Sequence, residues 1–164
     1  MFKKTLYAII ALMICITTTA CSKEDNKEKS SQTTTTTAQE NAENSIIIDF
    51  SINGEILAKY DINVPNGGKI LIKTNVKAEK NFTAFDLLKK LCIENNITFE
   101  YSGDGDTLFI TSIGGFSDKT ITTDAGWAGW IYKINDESAM ESCAKYKLKN
   151  GDKIEFIYTD GTFF

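Results

Sequence analysis

Thr83-Ala84-Phe85-Asp86-Leu87-Leu88-Lys89-Lys90-Leu91-Cys92 is the stretch on which the fold turns. Thr83 followed three residues later by Asp86 fits a capping box, in which each side chain accepts from the other's backbone N–H. Ala84, Leu87, Leu88, Leu91 and Cys92 recur at spacings of three and four, giving one apolar stripe. Lys89, Lys90 and Glu94 take the other face, and Asn95-Asn96 ends the segment. The spacing predicts a helix, and what surrounds it reads as strand. Upstream, Ile46 to Ile52 is a strand, Asn53-Gly54 is a hairpin signal, and Ile56 to Val64 continues as its partner. Pro65 to Gly68 is a second turn and Ile70 to Val76 a further strand. Downstream, Ile97 to Tyr101, Leu108 to Ile113, Trp130 to Ile134 and Lys153 to Thr159 are strands separated by turns. One helix flanked by strands on both sides is an α+β plan. A β-grasp-like mixed sheet packed on a single helix is the economical way to bury both.

What lies outside that domain is of a different kind. Met1-Phe2-Lys3-Lys4 is a positive start, and Leu6 to Ile16 is an apolar run too short to span a bilayer as a mature helix. Thr18-Thr19-Ala20-Cys21 then places small residues before a Cys, as in the lipobox of bacterial lipoproteins, with Thr18 where Leu or Val is usual. The expectation is a lipoprotein signal peptide over 1–20 and diacylation (a palmitate-type anchor) of Cys21; the alternative is secretory cleavage near Ala20. Lipid on Cys21 anchors a protein to a membrane by buried methylenes. The chain that follows, 21–45, is Thr, Ser, Asn, Glu and Lys, with Thr33 to Thr37 as a homopolymer. It offers too little apolar surface to offset its ordering entropy. As a flexible coil it spans roughly 25–30 Å. The globular domain is then 46–164, which holds all 11 Gly and both Trp. The place implied is the extracellular face of a cell membrane, lipid-anchored, in a Gram-positive bacterium.

Composition narrows the chemistry. All 18 basic residues among the 164 are Lys, so the chain has neither Arg nor His, and the formal net charge is −4. Without His there is no Ser-His-Asp or Cys-His machinery and no imidazole metal site. Without Arg there is no bidentate clamp for phosphate. The acidic balance argues against nucleic acid. Asp104-Gly105-Asp106 offers two carboxylates where Ca²⁺ needs several more oxygens, so it reads as a turn, and no metal site is expected. The expectation is a binding protein and not an enzyme. Cys92 and Cys143 are the two cysteines left to the domain. An even pair in an exported domain suggests one disulfide, closing a loop worth about 3–4 kcal/mol; the alternative is two buried free thiols.

The informative region is Gly114-Gly115-Phe116 through Gly126-Trp127-Ala128-Gly129-Trp130-Ile131-Tyr132. Two Trp and a Tyr fall within six positions, interleaved with Gly. In a strand Trp130 and Tyr132 share a face, and glycine brings bare backbone beside the rings. Such a surface suits an extended flat ligand. Core packing is the competing explanation for Trp130 and Tyr132, and less so for Trp127.

Four segments in order, TAFDLLKKL, LFITSIGGFS, GWIYKIND and YKLKNGDKIEFIYT, resemble the DUF4430 domain, itself similar to the C-terminal β-domain of transcobalamin and intrinsic factor. The resemblance covers about Phe82 to Thr159. It implies a β-grasp-like fold and cobalamin or a related corrinoid as ligand, held on one side of the ring, with no covalent cofactor. Ile113, Gly114, Gly115, Phe116, Trp127, Trp130 and Tyr132 are the expected contacts. A vitamin importer, and a second binding domain or second copy supplying the other wall, are the implied partners. A surface adhesion module, using the same aromatic patch for protein or glycan, is the alternative.

Overall fold

The computed structural model describes residues 44–124 and 126–162. The expected signal peptide, the Cys21 anchor and all but the last two tether residues lie outside them. Strand β1, Ser45–Asn53, turns Ile46, Ile48, Phe50 and Ile52 inward by its two-residue period. It begins one residue before the expected domain boundary.

The expected partner strand over 56–64 does not form. The chain instead makes two 3-10 turns, Glu55–Tyr60 and Pro65–Gly68, before β2, Lys69–Glu79, pairs antiparallel with β1. The two-residue turn expected of Asn-Gly needs positive φ, and Gly54 sits at −121°. The Asn53 side chain accepts from the Glu55 N–H at 2.9 Å, which starts a helical turn and sends Leu57 into the core. Gly54 then donates to the Gly68 carbonyl at 2.8 Å. Gly68 has a φ of +95°, and a Cβ there would lie 2.4 Å from the Glu55 Cα, so only glycine closes this connection.

Helix α1, Ala84–Glu94, has the expected boundaries. The Asp86 N–H donates to Thr83 Oγ1 at 3.1 Å, and the Thr83 N–H donates to the Asp86 carboxylate at 2.9 Å. Ala84, Leu87, Leu88, Leu91 and Cys92 are its buried stripe.

Strands β3 (Phe99–Ser102), β4 (Phe109–Ile113) and β5 (Phe116–Ser117) form a three-stranded antiparallel sheet. Strands β6 (Gly129–Ile134), β7 (Glu137–Ser138) and β8 (Lys153–Thr159) join β1 and β2 in a five-stranded sheet of order β2-β1-β8-β6-β7. In it β1 and β8 run parallel at the centre, and the other pairs are antiparallel. This is a mixed α+β architecture, with α1 inside the long crossover between the parallel strands. Ile48, Phe50, Ile52, Leu87, Leu88 and Phe156 belong to one core.

The Lys149-Asn150-Gly151-Asp152 segment locks that crossover. Asn150 accepts from the Ile47 N–H at 2.9 Å, and Gly151 returns a bond to the Ile47 carbonyl at 2.8 Å. Buried Asp152 accepts from the Tyr146 hydroxyl, the Lys149 N–H and the Asn135 amide. Burial, then that carboxylate, pushes the Tyr146 phenol up to about 12.

Candidate functional site

The structure divides the expected aromatic patch. Trp130 lies on β6 opposite Tyr158 of β8 and is 3% exposed. Its ring meets that of Tyr158 edge-on at 5.3 Å. The indole Nε1–H donates to the Phe116 carbonyl at 2.7 Å, and the Tyr158 hydroxyl donates to the Ser117 carbonyl at 2.7 Å. Two buried rings thus satisfy their polar tips on β5 and hold that short strand in place. Trp130 is therefore a core residue that gives only a buried edge to any cleft. Ile113, at 0% exposure, is core as well. Gly114 and Gly115 make the β4–β5 turn with φ of +64° and +85°, and Gly114 donates to the Thr98 carbonyl at 2.7 Å. Their glycines answer to a hairpin requirement.

Tyr132, two residues along β6 from Trp130, is half-buried. It stacks on Phe156 at 5.6 Å, and its hydroxyl donates to the Glu141 carbonyl at 2.8 Å. Burial holds this phenol protonated well above the usual tyrosine range. Tyr132 and Trp130 border a groove of about 260 Å³ between the start of β4, β6 and the 138–143 segment. Its other walls include Leu108, Phe109, Met140 and Cys143. Phe109 is 41% exposed and Met140 98% exposed. Neither stood out in the sequence. The signal was present for Phe109, because Leu108-Phe109-Ile110 are three consecutive apolar residues of the expected strand, and they cannot all face inward. Met140 is the one large apolar residue in the run 135–145.

Trp127 sits elsewhere. It is 39% exposed and lines a separate pocket of about 290 Å³ with Asp118, Lys119, Thr122, Thr123 and Ala128. Gly126, at φ +83°, turns the chain just before it. The two clefts share none of their lining residues. Gly129 stands between them. Where its side chain would start, Asp118 Cβ lies 3.5 Å away and the Phe109 ring 3.8 Å away.

The suggested Cys92–Cys143 disulfide is corrected by the structure, in which both are buried free thiols. The Cys143 carbonyl accepts from the Phe85 N–H in the first turn of α1. Cys92 is seven residues further along, a rise of about 10 Å, beyond disulfide reach. Burial pushes Cys92 up to about 12 and Cys143 up to about 11, so neither is an activated nucleophile. Among the described residues, no three His, Cys, Asp or Glu side chains converge as a metal site, and no helix is long and apolar enough to cross a membrane.

Comparison with known proteins places a family on the C-terminal half. Residues 81–160 match the model of DUF4430, a domain of unknown function. The match opens just before α1, so β1 and β2 stand outside it although β1 is central to the sheet. No curated protein matches the chain. Among solved structures, the chain is similar to haptocorrin in complex with Cbi, at 16% identity and a TM-score of 0.46, over 70% of this chain and 25% of that one. It thus spans about a quarter of the haptocorrin chain. It is also similar to a protein from Ruminococcus gnavus ATCC 29149 described as a "putative metal binding protein", at 16% identity and a TM-score of 0.43, over 70% of this chain and 96% of that one.

Proposed function

We propose, for a chain that carries a DUF4430 domain over residues 81–160, that it binds a corrinoid along the groove between β4, β6 and the 138–143 segment. The observation that carries this is the exposure of the Phe109 ring and the Met140 thioether beside an apolar cleft floored by Tyr132 and Phe156. A folded domain that leaves such groups to water beside a concavity has apolar surface to offer a ligand. The groove is smaller than the cavities that enclose small molecules. It suits one edge of a larger flat ligand, whose far side stays open to a second wall from a partner or a second copy. The chain has no His, so none of its own side chains offers the cobalt an imidazole. Recognition rests on shape, apolar contact and backbone groups facing neutral amides.

The parallel central pair, the strand order and one helix in the crossover support a β-grasp reading of the fold. Lipid on Cys21 and the polar tether complete the proposal: an extracellular capture module that hands its ligand to an importer, with no catalytic step of its own.

Equilibrium dialysis of the full chain against cyanocobalamin and cobinamide tests the site. Saturable binding is expected, weakened about tenfold or more by Met140→Glu or Phe109→Asp and left unchanged by Trp127→Ala. Absence of binding by both corrinoids at high micromolar ligand overturns the proposal.

A further inference from the structure

We propose that the edge of β2 over 69–73 is a docking surface for an acidic extended peptide, which adds to the five-stranded sheet as one more strand beside β2. The order β2-β1-β8-β6-β7 leaves β2 at one margin and β7 at the other. The two margins differ. Strand β7 has two residues, one of them Glu137, whereas β2 has 11 and no proline. Among the described residues β1 alone pairs with β2, so the other side of β2 presents a row of backbone N–H and C=O groups. Such a row is where an extended chain adds.

The two halves of β2 are not alike. Opposite Asp49 the register shifts, Asn75 takes a φ of +53°, and its N–H donates to the Asp49 carboxylate at 2.9 Å. Beyond that bulge Lys90 of α1 donates from Nζ to the Lys77 carbonyl at 3.2 Å, so a side chain already takes one acceptor there. The stretch 69–73 lies on the far side of the bulge from this contact.

Charge selects the partner. Residues 69–90 hold six Lys against Glu79 and Asp86, whereas 94–141 hold two Lys against nine acidic residues. An acidic chain thus gathers positive charge on β2 and α1. Lys69 stands 3.9 Å from Glu55, and both are exposed. Lys73 is exposed too, and none of the ion pairs among the described residues uses it. Lysines along an edge keep identical edges apart, so β2 of a second copy meets like charge. An acidic strand meets the opposite charge. Ile72, beside Lys73, is 57% exposed and borders a cleft of about 290 Å³ over β1 and β8. In its lining Lys69, Lys73 and Lys153 outnumber Asp49 and Glu155. Consecutive residues of an added strand meet Ile72 and Lys73 in turn, so the sequence that fits alternates β-branched and acidic side chains. No lining residue of the corrinoid groove borders this cleft, so the two surfaces are independent.

A fluorescein-labelled nonapeptide alternating Glu and Val, titrated with the full chain at low salt and read by polarisation, tests the surface. Saturable binding is expected below about 1 mM, with slower amide exchange over 69–73 in the complex. Affinity should fall about fivefold with Gln in place of every Glu, and about fivefold in Lys73→Glu. It should fall about tenfold or more when two adjacent central amides of the peptide are N-methylated, and stay unchanged in Met140→Glu. Three results overturn the proposal: no saturable binding by about 1 mM, equal affinity for the N-methylated peptide, or wild-type affinity in Lys73→Glu. A dimer of the chain alone that protects 69–73 overturns it as well, because the edge then belongs to a second copy. None of these results touches the corrinoid reading, which stands on other residues.

Discussion

The groove and the Trp127 pocket lie on either side of Gly129, yet they are built differently. The groove is walled by strands and by side chains that are also core. Tyr132 stacks on Phe156, which is almost fully buried. The pocket is walled largely by loop residues fixed through backbone hydrogen bonds, with only Ile121 and Ala128 buried among its lining. Substitution in the groove floor therefore couples stability to binding, whereas substitution in the pocket separates them. The largest expected effect tests this. Phe156→Ala removes a buried ring from under the groove and should cost about 3–5 kcal/mol in urea unfolding. A cost below about 1 kcal/mol would break the comparison, because the groove floor would then be no more structural than a loop.

Trp130→Phe comes next, and it probes the link between the two regions. The substitution keeps an aromatic ring in the core but removes the donor that meets the Phe116 carbonyl. A half-buried carbonyl left without its partner costs about 1–3 kcal/mol. It also loosens β5, and with it the Asp118 rim. Amide hydrogen exchange should quicken over 116–120 while the helix core stays protected. Unchanged exchange there would show that Tyr158 and the pairing with β4 suffice to hold the strand.

Alkaline pH sharpens the contrast from another side, because Cys143 and Tyr132 both border the groove. In the unfolded chain the thiols ionise near 9, whereas burial pushes Cys143 up to about 11 and Cys92 up to about 12. Between pH 9 and 11 the unfolded state releases protons that the folded state keeps, so stability falls as pH rises. Below pH 9 their contribution is constant. The urea midpoint should decline over that window, and Cys143→Ala should make the decline shallower. A midpoint that stays flat from pH 9 to 11 contradicts the burial of these thiols.

These effects also mark what the residues disclose on their own. Helix α1 is legible because its evidence is local: Thr83 and Asp86 satisfy each other within three residues. Strand β8 is legible because Ile154, Phe156 and Tyr158 recur at every second position and are the ones buried. The connection over 54–68 is not. Asn53-Gly54 carries a hairpin signal that loses to a closure fourteen residues away at Gly68. The same holds for the clefts. Aromatic and glycine density locates the region, but which ring is covered depends on register. Pairing Trp130 with Tyr158 and Tyr132 with Phe156 is a long-range choice that buries one Trp, while Trp127 stays outside the strand. Met140 is exposed beside the groove because the 138–143 segment runs along it, which no pattern in that polar stretch foretells.

The smallest effect on stability gives the sharpest test of separateness. Met140 is 98% exposed and Trp127 39% exposed, so Met140→Glu should shift unfolding by no more than about 0.5 kcal/mol, and Trp127→Ala by about 1–2 kcal/mol. With the fold unchanged, any loss of binding belongs to the site. Met140→Glu sets a carboxylate where a bound ligand would have to desolvate it, and it should weaken the corrinoid alone. Trp127→Ala removes a wall of the separate pocket and should leave corrinoid binding unchanged. Because the clefts share no lining residue, the double variant should show the sum of the two stability shifts with no interaction. A coupling above about 0.5 kcal/mol would mean that the bare Gly129 backbone transmits strain between them, and the two regions would then have to be treated as one.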